Sequence, residues 1–310
     1  MSTCLLAIAL AFPSLSRAAQ PAGPRPVPIL VLALGVEWDR MPIGLAIHHF
    51  QQLWESIFGR DKGDFDSDAV RRQLQVFNAT QDEAPRSALI EPALRAAALN
   101  SNTPVEIITV PWSQNPDDTA DVVPAFMVKL EQISSRARAE GRPLYVAAHS
   151  WGTVLVHEAL TRLAKEGRPV PVARLTTCGS PLVPPSFWVK IFKDFEGRQG
   201  VLQKLIAKPE GVATWTNLWG DHDHFSNAIE AADRNVQIDT MVEGYERFIR
   251  AKAGQAPAER IRADLQRLTN PGMWHESYFL GLHVRLASLG ENLDHDILQE
   301  NVRDLLPVAP

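Results

Sequence analysis

Cysteine is scarce in this 310-residue chain: Cys4 and Cys178 are the only two, too few for a disulfide framework or a thiolate zinc site. Long apolar runs are missing as well. The apolar stretch Cys4–Phe12 is well short of the ~20 residues that cross a bilayer. No charge of one sign dominates, since 31 Lys and Arg stand against 36 Asp and Glu and leave a net −5. With a pI near 6.0 and no basic patch interleaved with aromatics, nucleic acid is excluded as a partner. What is present is 45% hydrophobic and 22% charged residues, the balance of one large globular domain carrying insertions.

Cys4–Phe12 matches the core of a signal peptide, and Ser16-Arg17-Ala18 is an acceptable small-x-small cleavage site, although no positive side chain precedes the run. Residues 1–18 are therefore expected to be a signal peptide and 19–310 the domain, which favours a secreted or periplasmic location over a cytoplasmic one. Four prolines between Pro21 and Pro28 read as an extended lead-in.

The chain is organised around Leu144–Leu155. Leu144–Ala148 is short, apolar and β-prone, and reads as a buried strand. From Thr153, apolar residues at Val156, Ala159, Leu160 and Leu163 follow helical spacing. Between them Ser150 is flanked by Ala148 and Gly152, a strand–turn–helix in the style of G-x-S-x-G. Small flanking residues let the strand end and the helix start approach closely, and the helix N-terminus points its N–H groups at charge developing on the serine.

Ala148-His149-Ser150-Trp151-Gly152-Thr153 resembles the nucleophile elbow of α/β-hydrolase-fold serine esterases and lipases, including bacterial lipases with Ala at the first small position. Cys178–Leu182, Trp215–Asp223 and His275–Tyr278 resemble later stretches of that superfamily and occur in the same order. The resemblance covers roughly residues 27–290 as a fold and only these stretches as motif. It implies a doubly wound, mostly parallel α/β sheet with helical insertions that could form a cap.

The other elements fit such a sheet. Ile29–Leu34, ending in Gly35, and Val105–Val110 read as strands, with a helix over 122–139 and further strands over 172–178 and 213–219. Residues 36–102 read as one insertion holding an amphipathic helix with Ile43, Ile47, Phe50, Trp54, Ile57 and Phe58 on one side. That helix either packs on the core or touches a membrane surface as a lid. Residues 183–211 are a second insertion, with Phe187, Trp188, Ile191, Phe192 and Phe195 suited to an acyl pocket or to packing on the sheet edge.

A serine hydroxyl needs a base, and the base needs an acid to hold its tautomer. In the fold that the sequence resembles, the order is Ser, then Asp or Glu, then His. Asn217 and Asp223 match the family's Asn, five residues, Asp spacing, so Asp223 is the expected acid and Asp221 the alternative. His275 follows a loop signal at Asn270-Pro271-Gly272 and precedes Tyr278, Phe279 and Leu282, read as a helix that would also contain His283. His275 is the expected base. The oxyanion donors implied by the resemblance are the backbone N–H groups of Trp151 and Val36. Asp221-His222-Asp223-His224 has the composition of a metal cluster, but four consecutive loop residues cannot all face one ion, and neither metal nor cofactor is expected. His149 should point away from the serine hydroxyl, because side chains alternate along a strand.

The expected function is cleavage of a small-molecule or lipid carboxylic ester through an acyl-enzyme, with membrane-surface contact possible for a lipid ester. A thioesterase, amidase or acyltransferase would use the same triad, and a non-catalytic binding protein could keep the fold. Haloalkane and epoxide enzymes of the fold carry Asp at the elbow, so Ser150 disfavours them.

Overall fold

In the computed structural model, the residues that can be described are 26–35, 87–100, 102, 104–114, 118–183, 203–223, 225–238, the strands at 282–286 and 291–295, and isolated positions that include His275 and Tyr278. The possible signal peptide, the helix expected over 43–58, Val36, His224 and the aromatic part of the second insertion lie outside the described residues.

Six strands form one parallel sheet. In chain order, β1 is Ile29–Ala33, β2 Glu106–Thr109, β3 Leu144–His149, β4 Arg174–Cys178, β5 Trp215–Trp219 and β6 Arg234–Gln237. Their order across the sheet is β2-β1-β3-β4-β5-β6. Among the described residues, three helices connect them: α1 (Ser87–Asn100), α2 (Thr119–Ala139) and α3 (Trp151–Lys165). β1 and β3 are internal strands, buried along almost their whole length, which is why both read as unbroken apolar runs rather than as alternating ones.

The path from β1 to β2 runs one way along the sheet, and every later step runs the other way. Right-handed crossovers therefore put α1 on one face and α2 and α3 on the opposite face. The core divides accordingly. Ile29, Val31, Ala33, Val146 and Ala148 pack with Phe126, Leu130, Leu155 and Leu160 in one cluster. Leu30, Leu32, Ile90 and Leu94 are equally buried and supply the α1 side. Each fully buried Leu or Ile stabilises by about 1.5–3 kcal/mol. This is a doubly wound parallel α/β sheet, as expected.

The reversal of direction lies between β1 and β3. In open α/β sheets ligands bind at the carboxyl ends of the strands flanking such a switch point. At the opposite end of the sheet Arg142 ties the entry of β1, donating to the carbonyls of Val27 and Pro28 and pairing with Glu106 and Glu140 at 2.6 and 2.7 Å.

Three readings need correcting. The last part of the stretch taken as an insertion, residues 87–100, is the crossover helix α1. The helix expected to run on from His275 through His283 does not do so: Leu282–Leu286 (β7) pairs antiparallel with Glu291–His295 (β8), with His283 opposite Asp294. Apolar residues at Tyr278, Phe279 and Leu282 satisfy helical spacing, but Leu282, Val284 and Leu286 alternate with period two, and that period prevails. β6, Arg-Asn-Val-Gln, was not expected at all, because a half-exposed edge strand need not be apolar.

Candidate active site

Ser150 occupies the turn between β3 and α3. Its backbone has φ +50° and ψ −129°, a region that costs a non-glycine residue about 1–3 kcal/mol. The conformation is fixed on several sides. The Ser150 N–H donates to the carbonyl of Cys178 on β4 at 2.9 Å. The Thr153 hydroxyl donates to the Ser150 carbonyl at 2.7 Å, and lies 2.8 Å from the Ser180 hydroxyl.

Two glycines make room for the turn. A Cβ on Gly152 would lie 2.4 Å from the carbonyl oxygen of Ala33 and 2.7 Å from that of Leu34, so the start of α3 rests directly on the end of β1. A Cβ on Gly35 would lie 2.4 Å from Cβ of Ser150 and 2.9 Å from its Oγ. The backbone leaving β1 therefore passes beside the hydroxyl, which no side chain could allow. Trp151 is the first residue of α3, where backbone N–H groups have no partner within the helix, and its indole N–H donates to the Thr119 hydroxyl at 2.9 Å.

Asp223 and His275 meet after a separation of 52 residues. His275 Nδ1 lies 3.0 Å from Asp223 Oδ1, and both side chains are fully buried. Burial works against the charge on Asp223, but His275, the Tyr278 hydroxyl and the Phe225 N–H outweigh it and hold the carboxyl below its usual range. An ionised carboxylate can only accept, so Nδ1 carries the proton and Nε2 is the basic nitrogen. Asp221 goes elsewhere. Its carboxylate accepts from the side-chain amide of Gln237 at 2.9 Å on an exposed part of the molecule. The Asp-His-Asp-His run therefore sends its two carboxylates to different places.

The loop bearing Asp223 is held by an amide network. Asn217 on β5 donates to the carbonyl of Asn227 and to Oδ1 of Asn235 on β6, both at 2.9 Å, and accepts from the Thr177 hydroxyl at 2.9 Å. Asn235 closes the loop through the N–H and the carbonyl of Ile229. Asn217 is thus a strut that spans three strands and the loop between two of them.

Four residues to which sequence reasoning gave no such role surround the pair. Tyr278 donates its hydroxyl to Asp223 Oδ2 at 2.7 Å, and the Ser226 hydroxyl lies 2.9 Å from the phenol oxygen. His149 lies 2.7 Å, through Nε2, from the carbonyl oxygen of His275, with the two rings 4.9 Å apart. A carbonyl only accepts, so Nε2 of His149 is the donor. Burial and the neighbouring His275 push the His149 imidazole down to about 3, which keeps it neutral. Gly179 (φ +59°) ends β4 beneath both rings, and a Cβ there would lie 3.1 Å from His275 and 3.0 Å from Tyr278. The two aromatic side chains could have been suspected only from tertiary structure, whereas Gly179 and Ser180 were visible in the Cys-Gly-Ser-Pro stretch without a role.

The structure thus brings Asp223 and His275 together. Ser150 stands next in the chain to His149, which is bonded to the backbone of His275. Such a constellation can take a proton at Nε2 and stabilise the resulting cation.

No family model matches the chain, and no curated protein does. Among solved structures the chain is similar to lipase B of Aspergillus fumigatus, with 12% identity and a TM-score of 0.40 over 91% of this chain and 57% of that one. It is also similar to a metagenomic carboxyl esterase, with 11% identity and a TM-score of 0.28 over 65% and 53%. A third is a thioesterase of the prodiginine biosynthetic pathway in Streptomyces coelicolor, with 12% identity and a TM-score of 0.33 over 71% and 81%. The alignments span little more than half the length of the first two.

Proposed function

We propose that this protein is a serine hydrolase that cleaves carboxylic esters, with Ser150 as nucleophile, His275 as base and Asp223 as its partner. The observation that carries the reading is the buried bond from His275 Nδ1 to Asp223, whose loop follows β5 at the same carboxyl end of the sheet as a serine held at positive φ.

Nε2 of His275 takes the proton of Ser150 Oγ as Oγ attacks the carbonyl carbon. The negative oxygen is held by the Trp151 N–H at the start of α3 and by a second donor from the chain just after Gly35, where Val36 is the candidate. The tetrahedral species collapses, the carbon–oxygen bond to the alcohol breaks, and the alcohol leaves with the proton from Nε2. Water then gives a proton to Nε2 and attacks the acyl carbon. The acid departs, and the proton returns to Ser150. No step calls for a cofactor or metal. The substrate is proposed to be a small-molecule or lipid ester, and a thioester or amide would pass through the same steps.

Labelling with a fluorophosphonate and mapping of the adduct tests the reading. We expect an adduct on Ser150 that is lost in Ser150→Ala and in His275→Ala, with a melting temperature that shows both variants folded. An adduct that survives Ser150→Ala, or no adduct on the folded native protein with or without detergent, overturns it. A panel of esters of rising chain length then ranks the substrates.

A further inference from the structure

We propose that Tyr278 is a positioning residue for the acid–base pair: its hydroxyl, backed by Ser226, holds the second oxygen of Asp223 and sets how strongly the first oxygen holds His275. The proposal rests on the reading of Ser150, Asp223 and His275 given above and adds a group outside that triad.

The hydrogen bonds around Asp223 can be ordered without ambiguity. The Gly220 N–H donates to Ser226 Oγ at 3.2 Å, which uses that oxygen as an acceptor. Oδ2 of Asp223 only accepts, so the Tyr278 hydroxyl, 2.7 Å away, spends its single proton there. The phenol oxygen must then accept, and the donor 2.9 Å away is the Ser226 O–H. The chain runs from the Gly220 amide through Ser226 and Tyr278 to the carboxylate, every donor aimed at Asp223. Oδ1 receives the Phe225 N–H at 2.9 Å and faces Nδ1 of His275 at 3.0 Å. The two oxygens of one carboxylate therefore serve different partners.

Burial, and the Asp223 charge beside it, push the Tyr278 phenol well above its usual range, so it stays a donor wherever the protein is folded. Among the described residues, the other ionisable groups packed around this cluster are His149 of β3, held neutral, and Cys178 of β4 beside the phenol. Gly179, lacking a Cβ, lets the phenol and the imidazole lie over the end of β4 together.

A donor on Oδ2 draws negative charge away from Oδ1 and weakens its hold on a protonated imidazole. Without that donor the carboxylate holds the cation more tightly, so the base stays protonated to higher pH, and it also loses an orienting contact. A tyrosine with a merely structural role would alter stability and leave that balance unchanged.

The test is Tyr278→Phe, which keeps the ring and removes one oxygen. Two quantities are measured against the native protein: the rate of fluorophosphonate labelling as a function of pH, and the low-field proton resonance of His275 Nδ1–H. We expect the acid limb of the labelling profile to move to higher pH, the plateau rate to fall about tenfold, and the resonance to move downfield. Ser226→Ala, which leaves the phenol but removes its donor, should shift both in the same direction by less. A folded Tyr278→Phe with the native profile and resonance overturns the proposal. If Tyr278→Phe does not fold, an unchanged profile and resonance in Ser226→Ala overturns it. Labelling that persists in Ser150→Ala would instead bring down the serine reading, and the resonance comparison would still decide the role of Tyr278.

Discussion

The two halves of the candidate site are held by opposite means. On the β1–β3 side, position is set by what is missing: Gly35 and Gly152 lack a Cβ where one would meet Ser150 or the Ala33 carbonyl at 2.4 Å. On the β5 side, position is set by what is present, in the polar atoms of Asn217, Asn235, Ser226 and Tyr278. The first half is close packing of backbone, strong only while nothing is added. The second is a hydrogen-bonded frame, strong only while nothing is removed. One site thus has two failure modes, and each is diagnostic of its half.

Adding a methyl should do most harm on the first side. Gly35→Ala forces Ser150 or the end of β1 to move, and a shift of about 1 Å at a reacting group costs on the order of a hundredfold in rate. Labelling kinetics on folded protein would measure it, and a rate near the native one would mean that the hydroxyl does not depend on that contact. Removing atoms should do most harm on the second side. Asn217→Ala removes the acceptor of the Thr177 hydroxyl and the donor to the Asn227 carbonyl and to Asn235, and should cost about 3 kcal/mol in urea unfolding. A loss under about 1 kcal/mol would show that the frame is redundant.

His149 sharpens the comparison through pH. Its folded value of about 3 lies below the ordinary 6.5, so as pH falls through 6.5 the unfolded chain binds a proton that the folded one refuses. Stability then drops with falling pH down to about 3, by on the order of 5 kcal/mol. His149→Gln offers an amide N–H to the His275 carbonyl and removes the titration. The slope of unfolding free energy between pH 6.5 and 4 should flatten, with His157, whose imidazole burial also pushes down, keeping part of it. The smallest effect is the control. Gly141 has φ +63° with nothing within 4 Å of its absent Cβ, so Gly141→Ala should cost about 1 kcal/mol and leave labelling unchanged.

The same division explains what could be read in advance. Ile29–Leu34 and Leu144–Ala148 declared themselves as central strands because burial on both faces demands apolar residues throughout. Ala148 and Gly152 around Ser150 were legible because a close turn leaves its mark within a few residues. Asn217 could be seen as a spacing marker but not as a strut, since its partners Thr177, Asn227 and Asn235 reach it only through pairing of β4, β5 and β6. Tyr278 looked like one more apolar helix residue, because nothing local distinguishes a tyrosine whose oxygen finds a carboxylate 55 residues earlier. β7 was misread because a short apolar run satisfies two periods at once.

The placement of β1 also bears on how the protein is made. The first strand of the sheet in the chain is flanked by two that come later, and Ile29 pairs with Glu106 on one side and Leu144 on the other, 77 and 115 residues downstream (106 − 29 and 144 − 29). At about 5–20 residues per second, a ribosome takes roughly 6–23 s to supply the second of these partners. Ile-Leu-Val-Leu-Ala is a strand with neither edge satisfied until β2 is made, and with one edge open until β3 follows. It is short, apolar, uncharged and free of proline, the composition most prone to pair with the wrong chain. Yield during expression should therefore depend on translation speed between residues 34 and 149, and on chaperones that shield that one segment, more than on the stability of the finished fold.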